Sequence, residues 1–149
     1  MNCNDFLLRK ACMEDIDGIL EIENRCFSAP LSKSMFASMM ENDSYVYYAA
    51  FYNEKVAAYA GVLFSTYEGD IINIAVMPEF RRIGVAGKLL LCIIEHAKRN
   101  NVSKLFLEVR VSNTPAVNLY RSFGFEKIGI RKNYYTFPRE DALCMSLNL

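Results

Sequence analysis

The chain has no tryptophan and a single histidine, His96. Its five cysteines (Cys3, Cys12, Cys26, Cys92 and Cys144) are odd in number and widely spaced, and none forms a Cys-x-x-Cys. A zinc site is therefore not expected, because the ligand types and spacings are missing. A Cys/His nucleophile pair has no spacing support either. Net charge is lacking as well: 17 Lys and Arg balance 17 Asp and Glu. Nothing draws the whole molecule toward nucleic acid or an anionic membrane, so any phosphate affinity has to be local. No apolar run approaches the roughly 20 residues that cross a bilayer. The N-terminus lacks the apolar stretch of a signal peptide, and free thiols without an export signal point to the cytoplasm.

What is present is ordinary for a globular protein: 149 residues, 52% of them hydrophobic. That is enough for one domain, residues 1–149, with a sizeable core. There are no repeats, low-complexity tracts or linkers. Phe6 to Arg9 reads as a short strand and Met13 to Phe27 as a helix. Ile16, Ile19, Leu20 and Phe27 share one face of that helix, with acidic residues opposite. Ala29-Pro30-Leu31-Ser32 breaks it, and Ser32 can cap a second helix to about Met40. Tyr45–Tyr52, Val56–Ser65 and Glu68–Val76 read as a meander, with a turn at Asn53-Glu54. An apolar helix, Val85 to Lys98, precedes a strand from Lys104 to Val109. Thr114-Pro115 opens a short helix that Gly124 stops. Strands at about Glu126–Tyr134 and Ala142–Leu147 close the chain. The expected architecture is a mixed α/β single domain with a central, largely antiparallel mixed sheet flanked by helices. His96, near the end of its helix, reads as a solvated imidazole favoured by the helix dipole.

The most informative stretch runs from Asn73 to Leu90. A β-branched strand gives way to Met77-Pro78-Glu79-Phe80, then to Arg81-Arg82-Ile83-Gly84-Val85-Ala86-Gly87, then to a helix. Free N–H groups and the positive end of the macrodipole make a helix entry an anion site. Small residues let a ligand approach the backbone. Neither the P-loop nor the Rossmann glycine pattern is met. Spacing alone leaves phosphate binding and a simple tight helix entry both open.

Arg81-x-x-Gly84-x-Ala86 resembles the Gln/Arg-x-x-Gly-x-Gly/Ala signature of the Gcn5-related N-acetyltransferases. A second element, Asn113-Thr114-Pro115-Ala116-Val117-Asn118-Leu119-Tyr120-Arg121-Ser122-Phe123-Gly124-Phe125, resembles the later Asn-x-x-Ala-x-x-Leu-Tyr-x-x-x-Gly-Phe element of that family. Order and separation agree. The chain is most similar to the branch that acetylates the N-terminal alanine of a ribosomal protein, through Leu107-Glu108-Val109-Arg110-Val111-Ser112-Asn113, Arg131-Lys132-Asn133-Tyr134-Tyr135 and Arg139-Glu140-Asp141-Ala142. The resemblance implies a sheet in which the strands ending at Val76 and Val109 splay apart to admit acetyl-coenzyme A. The backbone of Ile74, Ala75 and Val76 would pair with the pantetheine arm, with the Val76 N–H near the oxyanion. The loop around Arg81, from Arg82 through Ile83, Gly84, Val85 and Ala86 to Gly87, would hold the pyrophosphate. Asn113 would contact the cofactor; by itself it could equally be a helix cap.

Acetyl transfer to an amine needs a neutral amine, a stabilised oxyanion and a proton for the leaving thiolate. A peptide α-amine, with a pKa of about 7.7–8.0 against about 10.4 for lysine, is readily deprotonated. Strand alternation puts Phe106, Glu108 and Arg110 on one face. The residues alone leave Glu108 as either a base amid apolar neighbours or a solvated carboxylate paired with Arg110. The resemblance assigns it the base. It likewise assigns Tyr120 the acid, where a lone tyrosine could be a core residue. Direct transfer in a ternary complex is implied, with no metal. Leu31, Tyr134, Tyr135, Glu140 and Asp141 would form the acceptor slot, the carboxylates holding a basic peptide; a packed aromatic hairpin is the competing reading. Relatives usually carry Trp where this chain has Leu31. The expected partner is the N-terminal peptide of a ribosomal protein, met by a monomer or weak dimer without direct contact to nucleic acid or membrane. A small amine or a lysine as acceptor, or a coenzyme A-binding module without turnover, are the alternatives.

Overall fold

The computed structural model describes residues 1–149. Seven strands form one sheet, in the order β1-β2-β3-β4-β5-β7-β6. They are β1 (Leu7–Lys10), β2 (Tyr45–Tyr52), β3 (Lys55–Phe64), β4 (Glu68–Val76), β5 (Lys104–Arg110), β6 (Glu126–Thr136) and β7 (Arg139–Asn148). Every neighbouring pair is antiparallel except β4 and β5. Those two are joined by the long helix α3 (Val85–Arg99), as a parallel pair requires a crossover. The other helices are α1 (Ile16–Cys26), α2 (Lys33–Met40) and α4 (Thr114–Ser122).

Strand alternation divides the core into two apolar layers. On β2, Tyr48 and Ala50 join α3 residues Leu89, Leu90 and Ile93 on one face. Tyr47, Ala49 and Phe51 point the other way, to Ile16, Ile19 and Ile22 of α1 and Phe36 of α2. The helices expected from apolar periodicity are present where burial of one stripe stabilises them. The first begins later than the pattern suggested, at Ile16, because Met13–Asp15 forms a 3-10 turn that Asp15 closes back onto the Cys12 N–H. Its acidic residues are not all on the outer face. Glu23 is buried with the isoleucines, since it lies four residues after Ile19 and so within the same stripe.

Two segments depart further from the sequence reading. The last hairpin pairs as far as Thr136 and Arg139, so β7 starts at Arg139 rather than Ala142. Its charged first residues hid the strand, and two of them, Glu140 and Asp141, find partners described below. His96 is not a solvated imidazole. Its Nδ1 lies 3.1 Å from the Tyr48 hydroxyl, its ring stacks on Phe64 at 5.2 Å, and burial with nearby Lys10 and Arg99 lowers its pKa. The Asn53-Glu54 turn forms as expected, although both residues take positive φ without a glycine.

The feature that positions the site is the end of the β4–β5 ladder. The last paired residues are Ile71 and Leu107. At that point β4 carries an extra residue: Val62 pairs with Ile71, but Gly61 pairs with Asn73, so Ile72 is bulged. A bulge bends and twists its strand. Beyond it β4 follows β3 to Val76, while β5 follows β7 to Arg110. The expected splay is present, and the bulge accounts for it.

Candidate active site

The split exposes backbone polar groups on the β5 side of β4. The Met77 N–H donates to the Ala57 carbonyl at 2.9 Å. Alternation turns Ala75, two residues earlier, to the same side. The N–H groups of Ile74 and Val76 therefore face the opening, and the expectation for Ala75 is corrected: its backbone is used by β3. The Val76 carbonyl is also engaged, accepting from Arg81 Nε at 3.0 Å. Arg81 thus folds back on the strand end, its guanidinium also reaching the Cys26 sulfur at 3.4 Å. What remains free at the opening is the Ile74 amide and carbonyl and the Val76 N–H, an arrangement that an extended amide-bearing chain can pair with as an added strand does.

The loop after β4 turns sharply through two left-handed residues, Arg82 (φ 66°) and Gly84 (φ 89°). Gly84 is the N-cap of α3 and offers no side chain to its first turn. The N–H groups of Val85, Ala86 and Gly87 are left for an anion. Arg82 is exposed beside them and Ile83 half-buried. Lys88 is tied to Asn4 Oδ1 at 2.9 Å. Asn113 caps α4, its Oδ1 accepting from the Ala116 N–H at 3.3 Å, so its side chain is already committed to the helix.

Tyr120 projects from α4 into the core layer shared with α3, 7% exposed, its ring edge-on to Phe125 at 5.7 Å. Burial, with a smaller contribution from Tyr135, pushes the phenol up to about 12. It is neutral throughout the physiological range and able to donate a hydrogen bond.

Glu108 is the first β5 residue past the last β4 pairing. It does not pair with Arg110. Its Oε1 lies 3.4 Å from Arg131 Nε on β6, with the glutamate side chain 30% exposed. Arg110 instead grips the last hairpin. Its guanidinium donates to Pro138 O (2.8 Å), Phe137 O (3.0 Å) and Glu140 Oε1 (3.2 Å), and it lies 4.3 Å over the Tyr135 ring. Burial raises Tyr135 to about 12. Tyr134 is exposed and packs edge-on against Tyr135.

The two carboxylates expected to hold a basic peptide are struts of this hairpin. Glu140 Oε2 accepts from the Ser112 N–H at 2.7 Å, and these bonds with Arg110 hold its carboxyl below the usual range. Asp141 Oδ1 accepts from the Asn133 N–H at 2.8 Å, inside the β6 bulge. Both are thus engaged within the chain. Leu31 lies half-buried against the α1–α2 layer, and Ser28 of the same loop donates to the Phe137 carbonyl. The α1–α2 loop and the β6–β7 turn thus meet over the face that carries Glu108.

A polar cluster lies beneath that loop. Glu23, 2% exposed, accepts from the Tyr59 hydroxyl, from Asn73 Nδ2 (3.4 Å) and from the Leu31 N–H (2.8 Å). Asn73 Nδ2 also donates to the Tyr59 oxygen at 3.0 Å. Burial, then the neighbouring carboxylate, pushes the Tyr59 phenol far up. Asn73 Oδ1 is buried with no partner, a loss of about 1–3 kcal/mol. The sequence reading named none of Glu23, Tyr59, Asn73, Arg110 and Arg131 as site residues. The one available signal was Glu23's position in the apolar stripe of its helix.

The sequence model of the acetyltransferase (GNAT) family matches residues 16–125. The [ribosomal protein bS18]-alanine N-acetyltransferase of Escherichia coli is 38% identical over 135 residues, 89% of this chain and 90% of that protein. The Haemophilus ducreyi protein of the same name is 38% identical over 141 residues, 91% and 95% of the two chains. The crystal structure of the ribosomal-protein-S18-alanine N-acetyltransferase from Escherichia coli superposes with a TM-score of 0.89 at 36% identity, covering 96% of this chain and 93% of that one.

Proposed function

The chain belongs to the acetyltransferase (GNAT) family, and from that membership we propose that it moves an acetyl group from acetyl-coenzyme A to the N-terminal amine of a ribosomal protein, alanine being the first residue. The observation that carries the reading is the split itself. Free amides of Ile74 and Val76 and an uncapped α3 N-terminus lie along one path, and Glu108 stands where the strands part. The similarity over nine-tenths of relatives that act on a ribosomal protein supports the acceptor.

In this reading the uncapped turn at Val85–Gly87 and Arg82 hold the pyrophosphate of coenzyme A, and β4 pairs with the pantetheine amides. The Val76 N–H stabilises the oxyanion as the amine attacks. Glu108, directly or through a water, takes the amine proton. Arg131 Nε, 3.4 Å from Glu108 Oε1, orients that carboxylate where the strands part. Tyr120 faces the leaving thiolate. A phenol at about 12 is a weaker acid than a free thiol at about 8.5, so Tyr120 acts by hydrogen-bonding the developing thiolate, and completes the transfer only as burial raises the thiol in turn.

Mass spectrometry tests the acceptor. After incubation with acetyl-coenzyme A, a peptide beginning Ala-Arg is expected to gain one acetyl group at its α-amine, ahead of one beginning Met-Arg. Acetylation confined to an internal lysine rejects the reading. Arg82→Ala is expected to weaken acetyl-coenzyme A about tenfold, the loss of one exposed charge–phosphate contact of roughly 1.4 kcal/mol, and to leave peptide KM within about twofold. Titration calorimetry giving an unchanged Kd removes Arg82 from the phosphate site.

A further inference from the structure

We propose that Glu23 is a positioning residue for acceptor selection, acting by holding the α1–α2 loop through the Leu31 amide. The proposal rests on the reading that this loop borders the acceptor slot. Glu23 is buried at 2% exposure and has no cationic partner; its three donors are a phenol, a side-chain amide and one backbone N–H. A buried polar group held only by neutral donors adds little to stability once its desolvation is counted. Its value is geometric. Oε1 is fixed by Tyr59 of β3 and Asn73 of β4, both on the rigid sheet. Oε2 extends to a residue of an otherwise irregular loop, at 2.8 Å from the Leu31 N–H. The carboxylate is therefore a rigid spacer between the sheet and the loop.

The geometry of the surroundings makes that spacing matter for the acceptor. Asn73 is the β4 residue immediately after the bulge, and Glu108 immediately follows the last paired β5 residue. The strand alternation that buries Leu105, Leu107 and Val109 with α3 leaves Glu108 on the opposite face, the one α1 covers. Glu23 thus fixes the roof of the slot relative to the strand that forms its floor. Ser28, at the loop's other end, reaches the Phe137 carbonyl, and Arg110 grips Phe137 and Pro138. One end of the loop is tied to β4 through Glu23, and the other to β5 through Arg110. Asn73 is kept in place even though its Oδ1 has no partner, as expected of a side chain retained for position.

The test compares Glu23→Ala and Glu23→Gln with the unaltered enzyme. Glu23→Gln retains an oxygen for the Leu31 N–H, while its amide can donate to the Tyr59 oxygen. It is expected to keep peptide KM within about threefold. Glu23→Ala is expected to raise peptide KM tenfold or more, with acetyl-coenzyme A Kd within about twofold, since that ligand enters from the α3 side. Parallel losses for both ligands, or an unchanged peptide KM, overturn the proposal. Should Glu23→Ala not fold, Leu31→Pro removes the donor and leaves the carboxylate, with the same expected rise and the same overturning result. Amide hydrogen exchange separates this idea from the acceptor assignment. Leu31 exchange is expected to speed at least tenfold in Glu23→Ala even if the wild-type chain acetylates none of the peptides. Unchanged exchange at Leu31 sinks the role of Glu23, whatever the acceptor proves to be.

Discussion

Replacing Glu108 with glutamine is expected to lower kcat/KM for the peptide by about 10²–10⁴-fold below pH ~7, the range that a positioned base contributes. The loss should shrink as pH rises. A peptide α-amine titrates at about 7.7–8.0, so above that range solvent has already removed the proton that Glu108 would take. Glutamine keeps the shape and one acceptor oxygen, and it leaves the amides at Ile74 and Val76 and the α3 N-terminus untouched. Acetyl-coenzyme A binding should therefore hold within about twofold, as read by calorimetry. The ratio of wild-type to variant kcat/KM, measured from acid to alkaline pH, is the discriminating quantity. A ratio that stays constant across the range removes Glu108 as the base and leaves it as the partner of Arg131.

Tyr120→Phe should behave in the opposite way with pH. Loss of one donor to a developing anion costs about 10²-fold in kcat by analogy with oxyanion donors. The Tyr120 phenol, pushed up to about 12 by burial, stays protonated over any practical assay range. The deficit should thus be the same at every pH, where that of Glu108→Gln is not. Stability should change little, because the hydroxyl has no bond within the chain and phenylalanine preserves the packing on Phe125. Single-turnover kinetics with a normal rate in Tyr120→Phe would exclude the residue from thiolate stabilisation. An altered acetyl-coenzyme A Kd would place it in cofactor binding instead.

Reading the chain by itself reached the helices and the strands because each is written locally, whereas the split was an expectation from the family resemblance alone. Apolar stripes mark α1 and α3, alternation marks β5, and Ser32, Pro115 and Gly124 mark ends. Arg81 was legible as a charge near a helix entry, but its bond to the Val76 carbonyl was not. That bond depends on the loop turning back on its own strand. Glu140 and Asp141 looked like free carboxylates because a sequence shows charges and hides their partners. The hairpin brings Ser112, Arg110 and Asn133 to them.

The order of residues alone determined the mixed α/β class, the basic small-residue loop before a helix, and a glutamate and a tyrosine in elements that resemble a known acetyltransferase pattern. These are matters of period, turn chemistry and local spacing, which neighbouring residues set between themselves. Only the folded chain decided that Ile72 bulges out and ends the β4–β5 ladder, that Ala75 gives its backbone to β3, and that Glu23 reaches Leu31 beneath the acceptor loop. Each depends on groups far apart in sequence competing for the same hydrogen bonds, and that competition is resolved when the sheet closes.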